Sequence, residues 1–502
     1  MLQVSHTEEK TAILTGEGID FPEIKSGPSL KSILGVFGAI IAAFLVYYLL
    51  SDLTAAPGST PDTHALSKEG LSLAAVFAVA LVLWVTEAIP IAVTSLFALI
   101  LAPLLGVVPS IKFSAVGFTS PVVFFVIAAY CLAAAIVDCG IGWRFALWLI
   151  NRTGTSPKRA LLGVMCGTAL ISALISDVPA CAIFMALTLP ILSKINATPG
   201  QSNLGKVMMI GIPMAALIGG VATPAGSSIN IIALELLKSE AGLDVTFLQW
   251  MALGLPLTII IIPVAWFILL KIFPPEVESI GDISEFKKEL RTMGSLKDKE
   301  KNVLIILSIL IVLWVSSSWI KQLDVATVSI CGAVAMFLPG INILNWKKVQ
   351  DSIGWDTVLM IGTATSLGIL ASNTGLSTWM VTNVLGDAIG WNMVLLIGVI
   401  SAFTVVVHLP LPLNPAVNAV LIPAMALLAI QTGNNPALFA MPVAFTASCN
   451  FLLPLEAVPL VTYSKGYYRM FDMLKPGILV SVAWVIIMTA LMFTVAPIVG
   501  LR

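Results

Sequence analysis

Long apolar runs separated by short polar connections fill this chain. Runs of membrane-spanning length fall near 33–50, 71–90, 91–108, 120–150, 207–238, 251–272, 302–320, 324–340, 355–388, 438–466 and 476–499, which predicts eleven crossings, since a helix needs about 20 apolar residues to cross the hydrocarbon core. Two further runs, Leu161 to Leu192 and Met393 to Ile430, carry a different plan. Each is broken near its middle by a polar-proline knot, Ser176-Asp177-Val178-Pro179 in the first and Leu413-Asn414-Pro415 in the second. Each half is roughly 15 residues, too short to span, so the two runs read as re-entrant hairpins. Irregular backbone at membrane depth is tolerated where it lines a cavity or is buried in protein. A matched pair of such breaks points to the binding site of a secondary transporter.

A second interruption follows each hairpin: GGVATPAGSSIN from Gly219 to Asn230, and SCNFLLPLEAVPLVTYSKG from Ser448 to Gly466. Carbonyls freed at such breaks can coordinate a cation, and half-helix N-termini can face an anion.

The two halves match at an offset of roughly 236 residues. Gly117-Phe118 pairs with Gly354-Trp355, Pro103 with Pro339, and Asp177 with Asn414. Five crossings and one hairpin per half give the halves opposite orientations. The expected organisation is a cytoplasmic tail over 1–30, a first helix and external loop over 31–70, and a first repeat over 71–272 with its hairpin about 161–195. A cytoplasmic linker over 273–301 and a second repeat over 302–502, hairpin about 393–430, complete it. Lysines and arginines cluster before the first helix, around the first hairpin, through the linker and near 347–348 and 465–475. The positive-inside rule makes that side cytoplasmic, with the N-terminus inside and the C-terminus outside, in a bacterial inner membrane.

Composition sharpens the class. Of 502 residues 58% are hydrophobic and 11% charged, with a mean hydropathy of +1.01; soluble domains carry about 25% charged residues. The net charge of −1 says nothing about partners, and no basic patch points to nucleic acid, so no nucleic-acid partner is expected. The six cysteines all lie in apolar segments, where core packing is expected. Neither HExxH nor GxSxG occurs, and the three histidines are His6, His64 and His408, which argues against an intramembrane enzyme. Closed, proline-capped tips argue against a channel.

Three motifs resemble one family. WVTEAIPIAVTSLFALILAPLLG (Trp84 to Gly106), TPAGSSIN (Thr223 to Asn230) and SCNFLLP (Ser448 to Pro454) resemble the divalent-anion:sodium symporters, in the expected order over about residues 70–500. The resemblance implies an all-α polytopic membrane protein: an inverted-repeat elevator transporter with eleven transmembrane helices and two re-entrant hairpins. It implies a homodimer in the lipid bilayer with a scaffold and a moving transport domain. The implied substrates are di- or tricarboxylates or sulfate, usually moved with sodium, and no cofactor.

That family places serine-asparagine-threonine at both hairpin tips, and this chain departs at both. By position, the first sodium site would use Ser172, Ser176, Asp177 and Gly226, with Asp177 adding a charge. The second would use Leu409, Asn414 and the backbone near Glu456, but Leu409 and Leu413 bring no hydroxyl. Substrate contacts would come from Ser176, Asp177, Thr223, Ser227, Ser228, Asn230, Asn414, Pro415 and Ala457. Glu456 stands where the family has a small residue. It could be a proton site, a partner for a cationic group on the substrate, or the carboxylate of a salt bridge to Lys465. Asp177 and Glu456 put two extra carboxyls near the site. Two negative charges about 4 Å apart repel by about 4 kcal/mol at an effective dielectric of 20. A plain dianion then needs a neutralising cation or proton, and a zwitterionic substrate is the alternative to an anionic one. His408 is expected to be a packing residue or a proton relay, Glu87 to bond a helix end, and Asp138 and Asp356 to cap helices.

Overall fold

In the computed structural model, which describes residues 30–54, 65–320, 322–384, 391–409 and 414–501, the apolar runs are helices. The expected tail before Leu30, His6, His64 and Leu413 lie outside the described residues. Among the described residues no strand occurs beyond one isolated bridge between Thr54 and Leu66. Eight of their helices are long and apolar enough to cross a membrane, or nine if the bent pair Trp346–Ser352 and Trp355–Asn373 is one span.

Local chemistry sets the ends. Ser67 Oγ accepts from Gly70 N at 2.8 Å to start Lys68–Thr86. Thr246 and Gln249 form a reciprocal capping box at the start of Phe247–Ile272. Two expected spans are divided by glycines in the left-handed region, which only glycine enters without steric cost. Gly140 (φ 81°) splits 120–150 into Pro121–Cys139 and Ile141–Thr153, and Gly375 (φ 75°) splits 355–388 into Trp355–Asn373 and Leu376–Val384. The run at 324–340 forms a helix only over Val325–Ala335, 11 residues.

In the first hairpin the returning arm Asp177–Lys194, 18 residues, is itself long and apolar enough to span, unlike the short half expected. Pro157–Ser172 and Asp177–Lys194 pack side by side about a tip at Ala173–Ser176, and Asn203–Gly220 lies across both. The second differs. Met393–Val407 packs on Leu474–Thr494, Asn414–Gln431 packs on Ser228–Ala241, and both touch Ala437–Thr446. Among the described residues the two arms barely meet, so this hairpin is splayed.

Four buried tryptophans repeat a single arrangement. Trp84 Nε1 donates to Ser95 Oγ at 3.3 Å, and Trp314 Nε1 donates to Ser329 Oγ at 3.1 Å. Each bond ties the first helix of a half to the next. Trp250 Nε1 donates to Val221 O at 2.9 Å, and Trp484 Nε1 to Thr446 Oγ1 at 3.2 Å. Each of these ties the half's last helix to the start of its second break. The pairs recur at about 230 residues, close to the sequence offset.

The helices fall into two groups. Lys68–Thr86, Ile91–Leu104, Pro121–Cys139, Val325–Ala335 and Trp355–Asn373 pack together, with Gly117 N donating to Ser366 Oγ at 2.9 Å across the two halves. The hairpins, the breaks and the two long helices Phe247–Ile272 and Leu474–Thr494 form the other. The groups meet where Trp355–Asn373 lies against Asn414–Gln431 and Ser228–Ala241. Leu30–Ser51 packs on Lys68–Thr86 and leaves Phe37, Phe44 and Tyr48 more than half exposed.

Three expectations about single residues change. Asp138 caps no helix; it takes an ion pair with Lys348 at 2.9 Å. Asp356 does cap, but across the fold: its Oδ1 accepts from Ala92 N at 3.3 Å, at the start of Ile91–Leu104. Of the cysteines, Cys131, Cys181 and Cys449 are buried, Cys139 is half-buried, and Cys166 and Cys331 are exposed. Those two lie on outward helix faces, so core packing does not hold for them. Glu87 ends Lys68–Thr86 through its own left-handed backbone (φ 47°).

Candidate functional site

The first hairpin brings Asp177 to the start of its returning helix, where a negative charge is favoured by the helix dipole. Asp177 is 5% exposed. Its Oδ1 lies 2.6 Å from Ser172 Oγ, and that hydroxyl is also 2.7 Å from Ala216 O. Ser172 has one hydroxyl proton and cannot give it to both. The other short oxygen–oxygen approach requires a proton on Asp177 or a cation held among the three oxygens. A carboxylate, a hydroxyl and a carbonyl are the donor set that hard cations take.

The first break closes around this point. Asn230 Nδ2 donates to Gly220 O at 2.7 Å and to Thr223 O at 2.9 Å, and Thr223 Oγ1 donates to Ala173 O at 2.6 Å. Gly226 stands against Gly220 O and Ala173: a β-carbon there would lie 2.5 Å from the first and 3.1 Å from the Cα of the second. Ser172 and Asp177 therefore meet at the hairpin tip, and Gly226 lies against Ala173 and Gly220 beside them. Ser227 faces the Asp177 carboxyl. Ser176 and Ser228 are half-buried and Val178 is exposed, so the tip reaches an opening. The hydroxyl of Thr223 and the amide nitrogen of Asn230 are committed to holding the break, while Asn230 Oδ1 has no partner.

In the second half Asn414 Nδ2 donates to Glu456 Oε1 at 2.6 Å. Pro415 is buried beside Asn414, and Ala457 is exposed. No described lysine or arginine pairs with Glu456, so the alternative of a salt bridge to Lys465 is not formed. Leu409 is 42% exposed and offers no oxygen from its side chain. His408 is 2% exposed, its Nδ1 2.7 Å from Thr404 O and its Nε2 2.9 Å from Ala447 O. Both ring nitrogens lie near carbonyls, and a neutral ring with its single N–H donates to one of them, so His408 sits between the second hairpin and the second break.

The four broken elements join. Asn418 Nδ2 donates to Ile229 O at 3.1 Å, linking the second hairpin to the first break. Cys181 Sγ reaches Val458 O at 3.5 Å, linking the first hairpin to the second break. Asp177 and Glu456 both lie at this junction, on the first hairpin and the second break. Asn418, Ser448 and Asn450, all at most 3% exposed, belong to the site although sequence reasoning missed them as contacts. The signal was present: Asn418 lies one helical turn after Asn414, on the same face, and Ser448 and Asn450 sit inside the SCNFLLP motif. A separate recess of about 650 Å³, lined by residues such as Ser67, Lys112 and Asn373, contains none of these side chains.

Comparison with known proteins agrees with this architecture. The chain is 28% identical over 466 residues to a protein named sodium-dependent dicarboxylate transporter SdcS from Staphylococcus saprophyticus, covering 88% of this chain and 89% of that one. It is 27% identical over 456 residues to a membrane protein of Cupriavidus necator, covering 86% and 85%. In structure it resembles the YdaH transporter of Alcanivorax borkumensis (TM-score 0.52, 14% identity, 92% of this chain and 98% of that one). It also resembles MtrF of Neisseria gonorrhoeae (TM-score 0.56, 12% identity, 92% and 95%). These two likenesses concern the fold alone. The model of the sodium:sulfate symporter transmembrane region matches residues 45–501, and the chain, an all-helical multi-pass membrane protein, belongs to that family of transporters, the divalent-anion:sodium symporters.

Proposed function

We propose that this chain is a secondary active transporter that carries a small anion by an elevator movement, with sodium as the coupling ion at Asp177. The observation that carries the reading is the triangle of Ser172 Oγ, Asp177 Oδ1 and Ala216 O, which holds one hydroxyl proton for two short contacts. The names of the staphylococcal relatives, sodium-dependent dicarboxylate transporters, support sodium. Two opposed halves around one central site give two mirrored states. The recurrent tryptophan bonds support related halves, and the boundary along Trp355–Asn373 is the surface on which the hairpin group would slide. Homodimerisation through the scaffold group fits this division, since the hairpins must stay free to move.

The test is uptake of a labelled anion into proteoliposomes under a sodium gradient. Asp177→Ala should abolish the sodium dependence and leave a folded protein, and Asp177→Asn should weaken it less. Sodium-dependent uptake at the wild-type level in Asp177→Ala would sink the assignment. A coupling proton is the second reading, because a protonated Asp177 also satisfies the short contact; uptake driven by a pH gradient without sodium would favour it. Orientation has its own check. A cysteine at Glu285 should react with impermeant thiol reagents from the cytoplasmic side, and one at Thr60 from outside. The reverse pattern would invert the topology.

A further inference from the structure

Two acceptors and one donor at the second break make no hydrogen bond of normal geometry. Glu456 Oε2, Asn414 Oδ1 and Asn450 Nδ2 are buried without a hydrogen-bond partner. Asn414 is 0% exposed and Asn450 3%. The three belong to one cluster: Asn414 Nδ2 already holds Glu456 Oε1 at 2.6 Å, and Asn450 faces the same carboxyl. Buried polar groups left unpaired are costly, so their persistence at one spot asks for a ligand. The cluster has an approach, because Glu456 is half-buried and Ala457 beside it is exposed.

The chemistry of the unmet groups selects the ligand. A sodium ion wants oxygens on all sides, yet Leu409 presents a hydrocarbon side chain at this hairpin and Asn450 Nδ2 presents a donor. A plain dianion meets the unpaired Glu456 carboxyl. A positive group bearing N–H donors satisfies Glu456 Oε2 and Asn414 Oδ1 together. An anionic head on the same molecule then accepts from Asn450 Nδ2. We infer that the transported molecule is a small zwitterion, an amino carboxylate or amino sulfonate, whose ammonium group sits between Glu456 Oε2 and Asn414 Oδ1. The inference rests on the transport reading and replaces its plain anion with a zwitterion that keeps an anionic head.

The experiment is a binding series on the purified full-length chain in nanodiscs with saturating sodium. The probes are glycine, β-alanine, 4-aminobutyrate, taurine, succinate and sulfate, read by thermal shift and calorimetry. At least one zwitterion should bind more tightly than both dianions. Acetylating its amine, which removes the charge and two of the three donors, should weaken binding at least tenfold. Glu456→Gln should weaken the same zwitterion at least tenfold, and Glu456→Asp by less. The acetylation comparison uses the wild-type chain, so it decides the matter even if the variants fold poorly. Tighter binding of succinate or sulfate than of every zwitterion, or an N-acetyl derivative that binds like its parent, overturns the inference and leaves anion transport standing. Uptake of none of the six probes into proteoliposomes overturns both.

Discussion

A β-carbon on Gly220 would stand 2.0 Å from Asp177 Oδ1. Gly220 is the last residue of Asn203–Gly220, so alanine there suits the helix itself and collides only with the carboxyl group. Gly220→Ala should leave expression and thermal stability near wild type and weaken sodium binding at least tenfold, as read by sodium-dependent thermal shift. As a control, Gly211→Ala meets only flexible side chains, the nearest atom being Leu161 Cδ1 at 3.1 Å. Unchanged sodium affinity in Gly220→Ala would remove Asp177 from the cation site.

Asn414 orients the Glu456 carboxyl, so the pair should behave as one unit. A hydrogen bond to a charged group contributes about 1.5–3 kcal/mol. Asn414→Ala should therefore cost substrate affinity about ten- to a hundredfold, and Glu456→Gln should cost little more in the Asn414→Ala background. A double-mutant cycle on Kd measures this; additive losses would show that the two residues act independently.

Much of this site was legible because polar residues and prolines are expensive inside long apolar runs. The knots at Asp177 and Asn414 and the breaks after Gly219 and Ser448 mark where helices stop, and the structure ends helices at those places. Asp177, Ser172 and Gly226 converge because the hairpin and the break are short and fixed in register. What stayed hidden depends on tertiary packing. Gly140 sits between Asp138 and Arg144 in a run otherwise apolar, and its positive φ leaves no mark on hydropathy. The tryptophan bonds join residues whose spacing differs between halves, 11 for Trp84–Ser95 and 15 for Trp314–Ser329, so a fixed-offset comparison passes over them. The splaying of the second hairpin is a matter of tertiary packing that no periodicity encodes.

The linker between halves is latched by a buried ion pair. Arg144 Nε and Nη2 hold Glu300 at 2.9 and 3.1 Å, and Nη1 donates to Gly294 O at 2.7 Å. The Glu300 side chain is 1% exposed. Removing one partner of such a pair costs about 3–5 kcal/mol because the other charge stays buried. Arg144→Ala should lower the unfolding temperature and open 284–297 to proteolysis, and adding Glu300→Gln should restore part of the loss. If the double variant is no more stable than Arg144→Ala, the uncompensated Glu300 charge is not the cause.

Glu276 ties the other end of the segment 273–301 to the hairpin group. It accepts from Ser202 Oγ and from Leu204 N, the latter at 2.8 Å, at the start of Asn203–Gly220. Partial burial pushes its carboxyl pKa upward, but the Ser202 and backbone hydrogen bonds outweigh that and hold it below the usual glutamate value. A carboxyl whose pKa is lowered on folding stabilises the fold above its unfolded value of about 4.3, and the contribution fades as pH falls through the lower folded value. Wild type should therefore unfold at a higher temperature than Glu276→Gln at pH 6, and the gap should narrow steadily as the pH is taken below about 4. The check is a pair of thermal unfolding series across that range, with Glu278→Gln as a control for the loss of one surface charge. A gap that is absent at pH 6, or that widens in acid, would show that the Glu276 latch is not held by an ionised carboxylate.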